Sequence, residues 1–356
     1  LCPHDNHDNG AYTIIMSQSV HILPTSEQTS SAPQWHVLGA GAMGCLWACR
    51  LLETMGPGSV QMIVRNQETL AEFQGYLTLE VDGHSIHYPV TATVAERLGP
   101  GAAGDDQHSA DDGTMIKRLL LATKAHETSS ALKGVWHAIT KDAPIVLLQN
   151  GIRSQLQMMT QYPDSNLYAL STSHGAWQRA PFHVVHAGHG EAWVGPLELA
   201  NQDSSYLSRD SLPLPWQSMN IHPDKQIVER LWRKFAINCA INGLTAIHNC
   251  RNGELLSNPD YLAELHSLCT EISQLLVRID TAPAVADLYG AVEQVLTITA
   301  CNHSSTHQDI RHGRQTEIRE LNGYLCEMAS AQNLPCPRNQ SVLDQVLALE
   351  KRADQS

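Results

Sequence analysis

At 356 residues with 42% apolar content, the chain is long enough for two globular domains with separate cores. Its 23 basic and 36 acidic residues leave a formal charge of −13, which argues against nucleic acid or an anionic membrane surface as a partner. Nine scattered cysteines with no CxxC pair read as buried free thiols in a reducing compartment, and the lack of a signal stretch or a long apolar run makes the cytoplasm the expected location.

Residues 1–34 are rich in His, Asp, Asn, Ser, Gln and Thr and lack periodicity, so they read as a disordered leader. The first methionine is Met16, a candidate start. Order is expected from Trp35. Trp35–Leu38 is a short apolar strand running into Gly39-Ala40-Gly41-Ala42-Met43-Gly44, and a helix over Cys45–Leu52 is closed by Gly56-Pro57-Gly58. A second strand, Val60–Val64, ends at Arg65. Alternation over 76–92 around Asp82-Gly83 predicts paired strands, and 98–114 reads as a flexible loop. Leu119–Ala122 suits a buried parallel strand, followed by a helix near Glu127–Ile139. Pro144–Leu148 is another strand, leading into Gln149-Asn150-Gly151, and one more lies near Leu167–Leu170. Strands alternating with helices give an α/β domain over 35–205 with a parallel sheet covered on both faces. Proline-bearing residues 206–223 form the expected linker. An all-α domain over 224–356 is expected to hold helices at 227–247, 261–279, 282–300, 315–332 and 341–351.

The hexapeptide Gly39–Gly44 follows a strand and opens a helix. The first glycine allows the tight turn, the second lets a pyrophosphate approach the backbone, and the third lets helix and strand pack closely. The helix N-terminus offers N–H groups and a positive dipole end to the anion. The motif therefore predicts a Rossmann-type dinucleotide site. At the end of the second strand Arg65 stands where NAD enzymes commonly place an acid. A guanidinium suits a 2′-phosphate, which favours NADPH; in the alternative, Arg65 is a solvated charge and Glu68 holds the ribose. Lys124 and Asn150 follow strand ends, where they either contact the cofactor or cap the next helix.

In the C-terminal half, Lys234, Asn238 and Asn242 recur at i, i+4 and i+8 among apolar neighbours and share one helical face. Such a polar stripe on a buried helix faces either a ligand or an internal polar seam. A lysine ammonium can hydrogen-bond a ketone oxygen and deliver a proton as hydride arrives, and amides can hold a small acid without adding charge. A second polar cluster runs from Asn302-His303-Ser304-Ser305 to Glu317. Ser305 is placed to bind a carboxylate. Glu317 either compensates a helix dipole or orients Lys234 or a ligand hydroxyl. No histidine set has convincing metal-ligand spacing, and His186 and His189 are expected to face solvent.

These residues together resemble the ketopantoate reductase family. The resemblance rests on the glycine turn, Lys124, Gln149-Asn150-Gly151, Leu231-Trp232-Arg233-Lys234 with Asn238 and Asn242-Gly243-Leu244-Thr245-Ala246, Asn252-Gly253-Glu254, Asn302 with Ser304-Ser305, and Thr316-Glu317-Ile318, and it covers roughly residues 35–350. It implies a Rossmann domain and a helical domain around a cleft, and NADPH reduction of 2-dehydropantoate to (R)-pantoate in pantothenate biosynthesis. The alternative is a related reductase of another small branched 2-keto acid. By position, Lys234 looks like the general acid. Asn238, Asn242, Asn252 and Ser305 look like substrate contacts, with Asn302 beside them. Lys124, Asn150, Ala176 and Glu317 look like cofactor-side or bridging residues. A homodimer is compatible with the sequence, and no metal, nucleic acid or membrane partner is expected.

Overall fold

The computed structural model describes residues 21–22, 33–100, 115–197, 213–279 and 285–353. Residues 101–114 of the loop expected at 98–114 and most of the leader lie outside the described residues. The chain divides into two compact units. One holds the described residues up to Asn150 together with Ser154–Val228, and the other holds Gly151–Arg153 and the residues from Glu229 onward.

The first unit begins with the two-residue strand β1 (His21–Ile22), which lies within the expected leader. It continues β2 (Trp35–Leu38), α1 (Ala42–Met55), β3 (Val60–Val64), α2 (Gln67–Ala71), β4 (Tyr76–Val81), β5 (His84–Pro89), β6 (Thr91–Val94), β7 (Leu119–Leu121), α3 (Thr128–Val135), β8 (Ile145–Leu147), α4 (Arg153–Gln161), β9 (Leu167–Thr172), β10 (Gly175–Ala180), β11 (His183–Gly188), β12 (Ala192–Pro196) and β13 (Ile221–Pro223). Eight strands form one sheet in the order β13-β12-β9-β8-β7-β2-β3-β6. The pairings from β9 to β6 are all parallel, and β12 joins antiparallel to β9. The run of fully buried residues in β2, β7 and β8 is what a parallel sheet covered on both faces requires.

A second sheet, in the order β1-β5-β4-β11-β10, was legible only in part. The β4–β5 hairpin turns at Asp82 and Gly83, with φ of 51° and 81°, the paired left-handed residues of a tight hairpin turn. The β10–β11 hairpin was not anticipated, because its strands are half-exposed and rich in His and Gly. Helix α1 packs against strands of both sheets, and its buried Leu46, Trp47, Leu51 and Leu52 belong to the core they share. Burial raises its Cys45 thiol to about 12, as suits an inert core residue. The stretch expected as a linker contributes β13, which pairs parallel with β12.

The second unit is helical, as expected: α5 (Ile227–Ile247), α6 (Glu254–Ser257), α7 (Pro259–Arg278), α8 (Leu288–Ile298), α9 (Ser305–Arg311), a π-helical turn (Arg319–Gly323), α10 (Tyr324–Ala331) and α11 (Pro337–Ala353). Start signals explain the boundaries. Asn258 caps α7 with Pro259 in its first turn, and Asp287, left-handed at φ 45°, accepts from the Gly290 amide 3.0 Å away to start α8 later than expected. The helix expected from 315 begins only at Arg319, because the Glu350 carboxylate accepts from the Thr316 amide at 2.8 Å and from its hydroxyl at 2.6 Å. At Gly243 a Cβ would overlap the Val342 side chain, so glycine lets α5 and α11 approach closely. Among the described residues seven cysteines are free, five of them in these helices or their connections. The expectation of free thiols fails at the exposed Cys301, which is disulfide-bonded.

Candidate functional site

Leu38, Leu121 and Leu147 are register mates on β2, β7 and β8. The glycine turn, Lys124 and Asn150 therefore leave the sheet at one carboxyl-terminal edge, where open α/β sheets bind ligands. Gly39 has φ of 112°, and a Cβ there would sit 2.9 Å from the Ala122 carbonyl carbon and oxygen. A Cβ on Gly44 would overlap the Gly39 carbonyl oxygen. Gly41 differs: a Cβ there would meet only open space. It is the N-cap of α1, with no side-chain cap bond and no acidic residue in the first turn. Ala42, Met43 and Gly44 form that turn, so its backbone N–H groups face an uncluttered approach. This turn fits a pyrophosphate.

Two supports of this edge were missed in the sequence. Gln178 Nε2, on β10, donates to the Ala40 carbonyl at 3.2 Å and tethers the glycine turn to the second sheet. Buried Gln149 donates from Nε2 to the Leu121 carbonyl at 2.8 Å, and its own carbonyl accepts from Gln155 Nε2 at 2.8 Å. The signal for Gln149 was an amide side chain at the end of an apolar strand. Gln178 carried none, since its partner lies 138 residues away.

Arg65 stands exposed just past β3 and forms an ion pair with Glu127, which precedes α3. Its neighbour Asn66 caps α2 by accepting from the Thr69 amide at 2.9 Å, and Glu68 is exposed in that helix's first turn. Lys124 is exposed, and its carbonyl accepts from the Thr128 hydroxyl at 3.2 Å. Asn150 is half-buried. Ala176 lies half-buried at the start of β10, opposite His186. The expectation that His186 faces solvent is wrong. Its Nε2 lies 3.1 Å from Nδ1 of His174, whose Nε2 lies 2.8 Å from Arg50 Nη1. Burial first, then the Arg50 charge, lowers His174 to about 4.

In the helical unit, α5 carries Lys234, Asn238 and Asn242 along one face. Lys234 is half-buried, and desolvation lowers it from 10.5 to about 8 while the Glu317 carboxylate pulls the other way. Asn242, 8% exposed, places its Nδ2 at 3.4 Å from Ser305 Oγ. The side chain of half-buried Asn238 makes no hydrogen bond to another described residue. The backbone amide of Asn252 donates to the Asn302 carbonyl at 2.9 Å, and its Nδ2 to Thr299 Oγ1 at 2.8 Å. The Asn252 Oδ1 is buried with no partner. The structure thus pairs Lys234 with Glu317, Asn242 with Ser305, and Asn252 with Asn302.

A further pair was missed in the sequence. Thr245, fully buried one turn beyond Ile241, donates from Oγ1 to Ser304 Oγ at 2.7 Å, and Ser304 caps α9 by accepting from the His307 amide at 3.1 Å. This link fixes the start of α9, whose first residue is Ser305. The motif contained both residues, but nothing in their spacing showed that they meet.

Comparison with known proteins places this arrangement. Residues 35–198 match the family model described as "Ketopantoate reductase PanE/ApbA", and residues 226–350 match its C-terminal model. The 2-dehydropantoate 2-reductase of Shigella flexneri is 32% identical over 315 residues, covering 87% of this chain and 93% of that protein. The chain belongs to the ketopantoate reductase family. Ketopantoate reductases also share its fold among solved structures. The PanE/ApbA family ketopantoate reductase of Ralstonia eutropha JMP134 has a TM-score of 0.73 at 22% identity, covering 90% of this chain and 99% of that one. A D-mandelate dehydrogenase solved with NADH and anilino(oxo)acetate has a TM-score of 0.75 at 20% identity, with the same coverage. At these identities the structures speak for the fold alone. Among the described residues no helix is long and apolar enough to cross a membrane.

Proposed function

We propose that this chain reduces the ketone of 2-dehydropantoate to (R)-pantoate with NADPH, a step of pantothenate biosynthesis. The bound nicotinamide supplies the hydride. The amides at Ala42, Met43 and Gly44 hold the pyrophosphate, with Gly39, Ala40 and Gly41 shaping the turn. Arg65 binds the 2′-phosphate, and Lys124, Asn150 and Ala176 line the cofactor's course from the strand ends.

The observation that carries the reading is the ammonium of Lys234. Partial burial lowers it to about 8, near the working range of a proton donor, and its helical stripe continues into two amides. Its Nζ hydrogen-bonds the ketone oxygen, stabilises the negative charge that develops there and transfers the proton. Glu317 keeps the lysine charged and oriented. Asn238 supplies an amide side chain that no described residue occupies, Asn242 and Ser305 form a paired donor set for the carboxylate, and Asn252 and Asn302 hold the substrate's hydroxyl end.

The test is oxidation of NADPH followed at 340 nm with 2-dehydropantoate and a panel of other branched 2-keto acids, for the native chain and for Lys234→Ala. The reading expects preferred turnover of 2-dehydropantoate and a loss of at least about 10²-fold in kcat for the variant, with NADPH still bound. Near-native turnover by Lys234→Ala removes the lysine from this role, and preference for another acid removes the substrate.

A further inference from the structure

The helical unit holds a second set of reactive side chains that the reduction does not use. Cys326, on α10, and Cys336, the residue before α11, have their sulfurs 3.2 Å apart. They are the free thiols in van der Waals reach of one another at the corner where α10 turns into α11.

That approach is set by the backbone. Past the end of α10 at Ala331, Asn333 is left-handed at φ 55°, and the Leu334 amide bonds back to the Ala329 carbonyl at 2.8 Å, which closes a tight helix C-cap. On the other side, the Glu271 carboxylate on α7 accepts from the Asn339 amide and from Asn339 Nδ2, both at 2.8 Å, and from the Arg338 amide at 3.0 Å. Glu271 therefore anchors the first turn of α11, with Cys336 directly before it. The two sulfurs are held close by groups that do not depend on them.

Their environments differ in the sense that thiol oxidation needs. The hydrogen bond with Cys336 holds the Cys326 thiol below its ordinary range. The same bond, burial and the nearby Glu271 carboxylate raise Cys336. Cys326 is thus the better thiolate and Cys336 the proton-bearing partner. Small oxidants have a way in. Cys336 is half-exposed. Cys326 itself is buried, as are free Cys45, Cys49, Cys239, Cys250 and Cys269, but for these five burial raises the thiol with no net lowering.

We propose that Cys326 and Cys336 form a reversible dithiol–disulfide pair that takes a hydroperoxide as its oxidant. The Cys326 thiolate attacks one peroxide oxygen, the O–O bond breaks, and hydroxide leaves and is protonated to water. Cys326 is then a sulfenic acid. The Cys336 sulfur attacks the Cys326 sulfur, the S–O bond breaks, and the oxygen departs as water with the proton from Cys336. Two thiols are oxidised, one hydroperoxide is reduced, and a dithiol reductant reverses the change. The cross-link would lie beside Asn339, whose Oδ1 accepts from Asn322 Nδ2 at 2.8 Å, and Asn322 also donates to the Cys239 carbonyl of α5 at 3.0 Å.

The test reads chemistry rather than catalysis, so it stands whatever the substrate proves to be. Both cysteines fall in one tryptic peptide, Glu320–Arg338. The native protein is treated with hydrogen peroxide, quenched, denatured, alkylated and digested. The expected result is a peptide lighter by two hydrogen atoms that resists alkylation until dithiothreitol is added, while Cys250 and Cys269 remain alkylatable. In Cys336→Ser the expected product is a Cys326 sulfenic acid captured by a cyclic 1,3-diketone. Recovery of both thiols fully alkylated in the native protein, or oxidation of Cys326 straight to sulfinic acid with no cross-link, overturns the proposal. The wild-type measurement decides this even if the variant does not fold.

Discussion

Lys234→Met isolates what the proposed proton donor costs the fold. Methionine keeps most of the aliphatic stem and removes the charge. Burial takes the Lys234 ammonium from 10.5 down to about 8 against the pull of Glu317. At ~1.4 kcal/mol per pK unit, keeping this group charged in the folded chain costs about 3 kcal/mol. The sign follows from proton binding. Between about 8 and 10.5 the unfolded chain holds a proton that the folded chain has released, so stability rises with pH across that window. Below 8 the whole cost is present. Lys234→Met should therefore raise the unfolding free energy at pH 7 by up to about 3 kcal/mol, less what Glu317 loses with its counter-charge. Urea unfolding at pH 7 and at pH 10.5 measures this, and the gain should shrink at the higher pH as the native lysine also becomes neutral. The same variant should lose turnover, and the native enzyme's kcat should fall as pH rises through about 8, where the donor deprotonates. A variant that unfolds at the same or lower urea concentration at pH 7 refutes the picture of a strained ammonium.

Three further outcomes follow from contacts elsewhere. Glu127→Gln releases Arg65 from its ion pair and should tighten NADPH relative to NADH, whereas Arg65→Asp should shift preference toward NADH; an unchanged ratio in fluorescence titrations of both variants means that the 2′-phosphate is read by another group. Gly243→Ala should destabilise by about 1–3 kcal/mol in urea unfolding through overlap with Val342, and the double variant with Val342→Ala should recover most of it; equal losses in the single and double variants refute the close approach. Thr245→Val removes the donor to Ser304, so the keto-acid KM should rise several-fold with NADPH affinity intact, and Thr245→Ser should restore it; a KM unchanged in Thr245→Val means that the start of α9 is held by other contacts.

What the sequence revealed and what it hid follow one physical division. Strands β2, β3, β7, β8 and β9 and helix α5 announce themselves because their signal is local: continuous apolar runs, helical spacing and a glycine turn between a strand and a helix. The polar stripe of Lys234, Asn238 and Asn242, the residues of the proposed site, can be counted along the chain in the same way. The β10–β11 hairpin escaped because half-exposed strands rich in His and Gly have no clean period. His186 was misplaced for a related reason: its partner His174 and the Arg50 behind it belong to other elements, and only the fold brings them within reach.

The residues that hold the site were harder to read than the residues proposed to act in it, and the structure gives the cause. Gln178, Gln149, Thr245 and Asn322 each bond to a backbone or side-chain group far along the chain, at sequence separations of 138, 28, 59 and 83 residues. Nothing in the local spacing of any of the four points to its partner. Asn322 is the clearest case. It is fully buried, sits in the π-helical turn that four helices separate from α5 along the chain, and donates both to the Cys239 carbonyl there and to Asn339 on α11. A wider helical turn is costly in isolation and persists only where surrounding contacts over-determine it. Here those contacts tie α5, α11 and the turn after Glu317 into one polar seam. The helix that carries a strained ammonium is thereby fixed by groups a sequence reader has no means to weigh, because their energy lies in a pairing between distant positions and in no property of either residue alone.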